Sequence, residues 1–321
     1  YHQHPIQHTL ELCISIKMKL SLCVLLLAVV GVNCLQSQLP PVSKLVSQHA
    51  ATIASLKSLT TEVVGSIAEE PYSNDLFYLH FCLQAESDSD SDAAQSLRKS
   101  LAWRTGEGKA ICDSARAALA KAQEGGGWDN QPVLQAAPHV DKISKYLTPA
   151  TVLTTSNRDG DLVYCIRAGK IADNDLMAAV TVDEMKDFFL YAKEVNTLVS
   201  YQRSADSDRL CQVLTANDLD GVKLVGGSKE FRTALGASSK VAAVVYPKTI
   251  NGPTLLCNLP GILNALVKLF TPLFPESVKA RLKFAKLDAL KDTESLTALA
   301  STSTSSERTA FLDALERVLA A

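Results

Sequence analysis

From about Pro149 onward, short β-branched and apolar runs alternate with longer helical stretches, and this constrains the fold more than any other feature of the chain. Leu162-Val163-Tyr164-Cys165-Ile166-Arg167-Ala168 reads as a strand, introduced by the turn Asn157-Arg158-Asp159-Gly160. Thr181-Val182-Asp183-Glu184 has the pattern in which a hydroxyl and a carboxylate each satisfy an N–H left free at a helix start. The helix it opens reads through to about Tyr201. Leu210-Cys211-Gln212-Val213-Leu214-Thr215 is a second strand, ending in a turn over Asn217–Gly221. A helical stretch near Ser228–Ser239 follows, then a third strand at Thr254-Leu255-Leu256-Cys257, an apolar helix over Pro260–Phe270 and a weaker strand at Arg281–Phe284. Asn258 is placed to cap that last helix, with Pro260 in its first turn. Parallel strands need crossovers, and helices between strands supply them, so the expected fold class is α/β, with a mixed, mainly parallel sheet covered by helices.

The half before this region reads as helical. Val42, Leu45, Val46, His49, Ile53, Leu56, Leu59 and Val63 recur at helical spacing. A second helix spans Tyr72 to Gln84, the acidic serine-rich run Glu86–Asp92 interrupts it, and a third covers Ala93–Thr105. Gly108 to Leu147 is helical apart from a loop at Gly125-Gly126-Gly127.

The first methionine is Met18; residues 1–17 are expected to be untranslated sequence or the product of a truncated gene model. Lys19 precedes an apolar run from Leu20 to Val32, shorter than the roughly 20 residues a membrane-spanning helix needs, and residues 18–34 therefore read as a secretory signal cleaved near Cys34–Leu35. Of eight cysteines, Cys82, Cys112, Cys165, Cys211 and Cys257 lie beyond this leader, with no CxxC pair, so structural zinc and dithiol redox chemistry lack support.

Charge and histidine placement narrow the chemistry. Lys and Arg total 32 against 34 for Asp and Glu, which removes the electrostatic basis for a nucleic-acid partner. All six histidines lie at or before His139, so hydrolases built on a histidine base, and histidine metal sites, are hard to place in the α/β half. Gly-x-Ser-x-Gly is absent, and Val225-Gly226-Gly227-Ser228, the nearest approach to a phosphate loop, reads as a plain turn before a helix. No catalytic residue, cofactor or metal is expected.

In the Pro260–Phe270 segment, Ile262, Leu263, Leu266, Leu269 and Phe270 share one helical face, with Asn264 and Lys268 at its polar edge. Such a stripe is an ordinary core helix or a lid that closes an apolar cavity and turns toward a membrane. Its surroundings resemble the lid region of CRAL-TRIO lipid-binding domains, the family of tocopherol-transfer, retinaldehyde-binding and yeast phosphatidylinositol-transfer proteins. Tyr246-Pro247, an apolar strand, Asn258-Leu259-Pro260, the apolar helix and Pro272-Leu273-Phe274-Pro275-Glu276-Ser277-Val278-Lys279-Ala280-Arg281-Leu282 follow one another in that family's order. Asp159-Gly160-Asp161-Leu162 through Gly169-Lys170 is similar to its first strand, and Asn217-Asp218-Leu219-Asp220-Gly221 to the Asp-x-x-Gly after its second. Leu76 to Leu83 followed by Ala93–Thr105, with Leu101-Ala102-Trp103-Arg104, is similar to the small helical domain that precedes the fold. Two features depart from the pattern: Lys248 stands where an acidic residue is common, and Gly125–Gly127 is an insertion.

The resemblance implies a helical region over 35–148, of which 72–105 matches the family's N-terminal helices, a lipid-binding domain over 149–300 and a helical tail over 301–321. It implies a hydrophobic pocket under the lid helix, lined by Val163, Cys165, Val213, Leu255 and Cys257, with Lys279 and Arg281 as headgroup candidates. The expected function is binding and transfer of a lipid, phosphoinositide or isoprenoid by a monomer that meets membranes transiently. With the leader, it would work in the secretory pathway or its lumen, or in a plastid in an organism with secondary plastids. Two other readings stay open: an enzyme acting on a hydrophobic ester or lipid through Asp218, Asp220 or Cys257, and a regulatory module that binds membrane or protein without transfer.

Overall fold

A computed structural model describes residues 39–87, 92–124, 130–222, 227–261 and 281–320. The leader, Ile262, Leu263, Leu266, Leu269, Phe270 and Lys279 lie outside the described residues.

The helical half runs α1 (Val42–Gln48), α2 (Ala50–Val64), α3 (Asp75–Ser87), α4 (Ala93–Thr105), α5 (Lys109–Gln123) and the short α6 (Gln131–Gln135) and α7 (Val140–Ile143). Helix α3 is the hub: Leu76 to Gln84 are all buried, as expected of a helix that is apolar on every side. Phe77 meets the rings of Tyr72, Tyr78, Phe81 and Tyr201 edge to face. The helical region expected over Gly108–Leu147 is divided into α5, α6 and α7: Pro132 lies in the first turn of α6, and His139, at a φ of 57°, stands just before α7.

The second half is α/β. Strands β1 (Val152–Ser156) and β2 (Leu162–Arg167) form a hairpin; β3 (Val213–Asp218), β4 (Asn251–Cys257) and β5 (Leu282–Ala285) add in parallel, giving one sheet in the order β1-β2-β3-β4-β5. Helices α8 (Asp173–Ala179) and α9 (Val182–Ser207) cross from β2 to β3, and α10 (Lys229–Val245) crosses from β3 to β4. Helix α11 (Asp288–Asp292) and α12 (Ser306–Ala320) follow β5. The capping pattern at α9 is as expected: Glu184 N–H donates to Thr181 Oγ1 at 3.2 Å, and Thr181 N–H donates to Glu184 Oε2 at 2.8 Å.

Strand β1 has no counterpart in the sequence reading. It carries Thr154, Thr155 and Ser156 and sits at a sheet edge, where hydroxyl residues mask the usual apolar run. Its turn is the expected Asn157–Gly160, closed by Asp161 N–H donating to Asn157 Oδ1 at 2.8 Å. The second strand lies later than expected, at Val213–Asp218. Cys211 N–H goes to Ser204 Oγ (2.8 Å) and Gln212 N–H to Asp161 Oδ1 (3.0 Å), so Leu210–Gln212 is held by side chains before ladder pairing begins. Asn217 and Asp218 are strand residues, not turn residues.

Asn258 does not cap a helix. At a φ of 52° it turns the chain out of β4, its Oδ1 accepts from Leu287 N–H (2.9 Å), and its Nδ2 donates to Asp218 Oδ1 (2.9 Å) and Leu287 O (3.0 Å). The amide ties the ends of β3 and β4 to the chain leaving β5.

Each sheet face has its own cover. On one side Val163, Cys165, Leu214, Ala216, Leu255 and Cys257 pack against Leu287, Leu290, Leu296, Leu299, Phe311, Leu312 and Leu315, so α12 is a layer of this domain and not a tail. On the other side α9 and α10 lie together, and α3, α4 and α5 pack on them from outside. The lock between the halves is Arg104 of α4, whose Nη1 and Nη2 donate to Glu194 Oε1 and Oε2 of α9 at 2.6 and 2.9 Å, both side chains 1% exposed. The five cysteines from Cys82 to Cys257 are buried and free.

Candidate functional site

The face toward α9 and α10 is not fully packed. Sheet register sets Tyr164 of β2 beside Thr215 of β3, and Thr215 beside Thr254 of β4, so three hydroxyl residues form one row on one face. Above this row α9 brings Phe189, Leu190, Lys193 and Asn196, and α10 brings Ser238 and Ala242, framing a half-open cavity of about 150 Å³. That is close to the size of an engineered cavity that accepts benzene. Its walls are mixed: Leu190, Phe189 and Ala242 are apolar, while Lys193, Asn196, Asn251 and Arg281 are polar.

The β4 side of the cavity is built on a bulge. Val213 pairs with Asn251 and Thr215 with Thr254, so Gly252 and Pro253 together oppose Leu214 alone. Proline has no N–H for the ladder, which suits it to this position. The Gly252 carbonyl accepts from Arg281 Nη2 at 2.7 Å. Lys193 Nζ donates to Asn251 Oδ1 and lies 5.8 Å from the centre of the Tyr246 ring. Burial, aided by the charge of Arg281, pulls the Lys193 ammonium down to about 7. Burial also pushes the Tyr164 hydroxyl up to about 12.

Among the described residues expected from sequence to line the pocket, only Val213 lines this cavity. Val163, Cys165, Leu255 and Cys257 face the opposite way, into the apolar layer with α11 and α12. The reason is register: Val213 pairs with Leu162, not Val163, and since side chains alternate, an offset of one residue moves a strand's whole set to the other face. Arg281, one of the two headgroup candidates, lines the cavity and is 5% exposed. Lys193 and Asn196 were missed. Their only sequence signal is a lysine and an amide three apart, hence on one face of a helix that is otherwise largely buried.

The residues considered for catalysis do not converge. Cys257 faces the apolar layer with no exposure, and burial pushes its thiol well up. Burial raises the Asp218 carboxyl, while Asn258 Nδ2 and the Asp220 N–H (3.2 Å) donate to its Oδ1. Asp220 lines a separate open trough of about 560 Å³ beyond the ends of β2 and β3, with Arg167, Lys170, Lys291, Asp292 and Glu294. Arg167 is itself committed there to the carbonyls of Lys291 (2.5 Å) and Glu294 (3.3 Å).

Ser228 caps α10 by accepting from Phe231 N–H at 3.1 Å, while Val225 and Gly226 of the loop before it lie outside the described residues. Its own N–H donates to Asp173 Oδ2 at 2.7 Å, so a carboxylate of the chain occupies the place a phosphate would take. Among the described residues there is no cluster of His, Cys, Asp and Glu suited to a metal, and no helix is long and apolar enough to cross a membrane. Set against models of known protein families and against curated proteins, the chain matches none.

Proposed function

We propose that this protein is a non-catalytic carrier that holds one hydrophobic small molecule between the sheet and the helix pair α9/α10 and exchanges it with membranes. The observation that carries this reading is the cavity itself: it has a sheet floor, apolar walls from Phe189, Leu190 and Ala242, and a few polar side chains in its lining. A site with an apolar body and a few convergent polar groups is the usual form of a small-ligand pocket. The sequence order that resembles CRAL-TRIO domains supports the same reading, and in it the apolar helix expected over Pro260–Phe270 closes the cavity. Leaving the bilayer for such a pocket trades one apolar environment for another, and each buried methylene contributes about 0.8 kcal/mol, so binding needs no covalent step. With the leader over 18–34, the reading places the carrier in the secretory pathway, acting as a monomer.

The test is transfer of a fluorescent lipid between donor and acceptor vesicles. Ala242→Phe, which fills the cavity wall, and Leu266→Asp, which places a charge on the expected lid face, should each lower the transfer rate at least tenfold with the circular dichroism spectrum kept. Normal rates in both variants would sink the reading. Binding without transfer would turn it into the regulatory alternative, and turnover of the added lipid into the enzymatic one.

A further inference from the structure

We propose that Lys193 is a nucleophilic amine, which captures an aldehyde as a reversible imine in the cavity between the sheet and α9/α10. This rests on the carrier reading for the hydrophobic remainder of the ligand, but the amine is argued from its own surroundings. A lysine attacks carbonyls through its unprotonated nitrogen, and an ordinary lysine is almost fully protonated at neutral pH. Lys142, Lys186 and Lys291 are held in that state. Each meets a carboxylate, Glu184 at 2.6 Å, Asp183 at 2.9 Å and Asp292 at 3.2 Å, which keeps its ammonium up.

Lys193 has the opposite setting. Its hydrogen bond goes to a neutral acceptor, Asn251 Oδ1, and its ammonium lies over the Tyr246 ring. The carboxylate next to it in sequence, Glu194, is held by Arg104 in a bidentate pair. Arg281 lines the same cavity, anchored on the Gly252 carbonyl, and a guanidinium does not give up its charge. Burial weighs most on Lys193, Arg281 adds to it, and Glu194 opposes both. The hydroxyls of Tyr164 and Tyr246 stay protonated, since burial raises them. A desolvated lysine beside a second cation is an arrangement that frees an amine lone pair near pH 7. The cavity is half-open and the side chain part-buried, which leaves an aldehyde a way in. In the step itself, the Lys193 lone pair adds to the carbonyl carbon, and the C=O electron pair moves to oxygen. The carbinolamine then loses that oxygen with the two amine protons as water, so no oxidant or reductant is needed. Water reverses the step and returns the aldehyde unchanged.

Incubation of the full chain at pH 7 with octanal, or separately with formaldehyde, followed by borohydride reduction and peptide mass mapping, tests the assignment. Octanal should leave one N-octyl group per chain, on Lys193, formed about tenfold or more faster than on Lys142 or Lys186. In Lys193→Met that label should be lost, while calorimetric binding of octanol stays within about twofold of the parent. If this variant fails to fold, the distribution of label among the lysines of the parent decides alone.

Label spread over the surface lysines, with Lys193 no faster than Lys142, overturns the nucleophile; octanol binding then leaves the carrier reading standing. Rapid labelling of Lys193 by formaldehyde, without octanal labelling or octanol binding, supports the reactive amine and overturns the hydrophobic carrier. Failure of both aldehydes at Lys193, with no octanol bound, overturns both.

Discussion

At the scale of single residues, two buried polar groups make opposite demands on the fold. Arg104 and Glu194 satisfy each other, so removing one leaves an uncompensated charge in the interior. Arg104→Met should cost about 3–5 kcal/mol in urea unfolding, and Arg104→Met combined with Glu194→Leu should recover most of it. Additive losses would show that the pair is held by its surroundings and not by charge. His80 is buried with Nδ1 at 2.8 Å from Thr249 Oγ1, while that hydroxyl donates to the His80 carbonyl at 3.2 Å. The hydroxyl therefore accepts from Nδ1–H, and Nε2 carries the lone pair. Burial pulls this imidazole down to about 3 from 6.5. A depressed folded value means the contribution is present above about pH 6.5 and is lost as pH falls toward 3. Relative to His80→Gln, the parent should lose about 3 kcal/mol between pH 6.5 and 4; a stability difference that does not change over this range would contradict the assignment. Sequence could expose neither group. A lone His80 or Glu194 inside a helix looks the same whether it faces solvent or Thr249 and Arg104, because each partner comes from a distant element.

At the scale of elements, the close approach behind β2 explains one of the motifs. Gly169, in the turn Ala168–Lys170, has no room for a side chain: a Cβ there would stand 2.0 Å from the backbone oxygen of Asp220, in the turn after β3. Gly169→Ala should destabilise the protein by about 1–3 kcal/mol, with the denaturation midpoint as the readout. An unchanged midpoint would show that the two turns move apart freely. The Gly-Lys that ends the first strand pattern is thus a packing requirement between neighbouring parallel strands. Helix starts were the most legible elements, since Thr181 with Glu184, and Ser228, act through contacts within three residues. Strand limits were less so. The start of β3 is set by Ser204, in the helix before it, and by Asp161, 51 residues away. Alternation identified the strands but not their relative register, and so grouped Val163, Cys165, Leu255 and Cys257 with Val213, which lies on the opposite face.

At the scale of the molecule, the sheet is a partition. One face is closed by α11 and α12, the other by α9 and α10 with the N-terminal helices behind them. Phe311, Leu312 and Leu315 complete the first face, so a chain ending at Ser303 should lose its cooperative unfolding transition and bind a hydrophobic dye; retention of a sharp transition would make α12 dispensable. The second face holds the cavity. The α/β alternation, the helical first half and the mainly parallel sheet could all be read from sequence, because each depends on patterns within about ten residues. The position of the cavity could not, because it depends on how strands and helices from across the chain are juxtaposed. The central claim is that this second face carries a ligand. Mass spectrometry of a solvent extract of the purified protein tests it most directly. The expected result is close to one equivalent of a single unmodified hydrophobic molecule, present in the parent and absent from Ala242→Phe. An extract empty in both, or a molecule chemically altered by incubation with the protein, would contradict it.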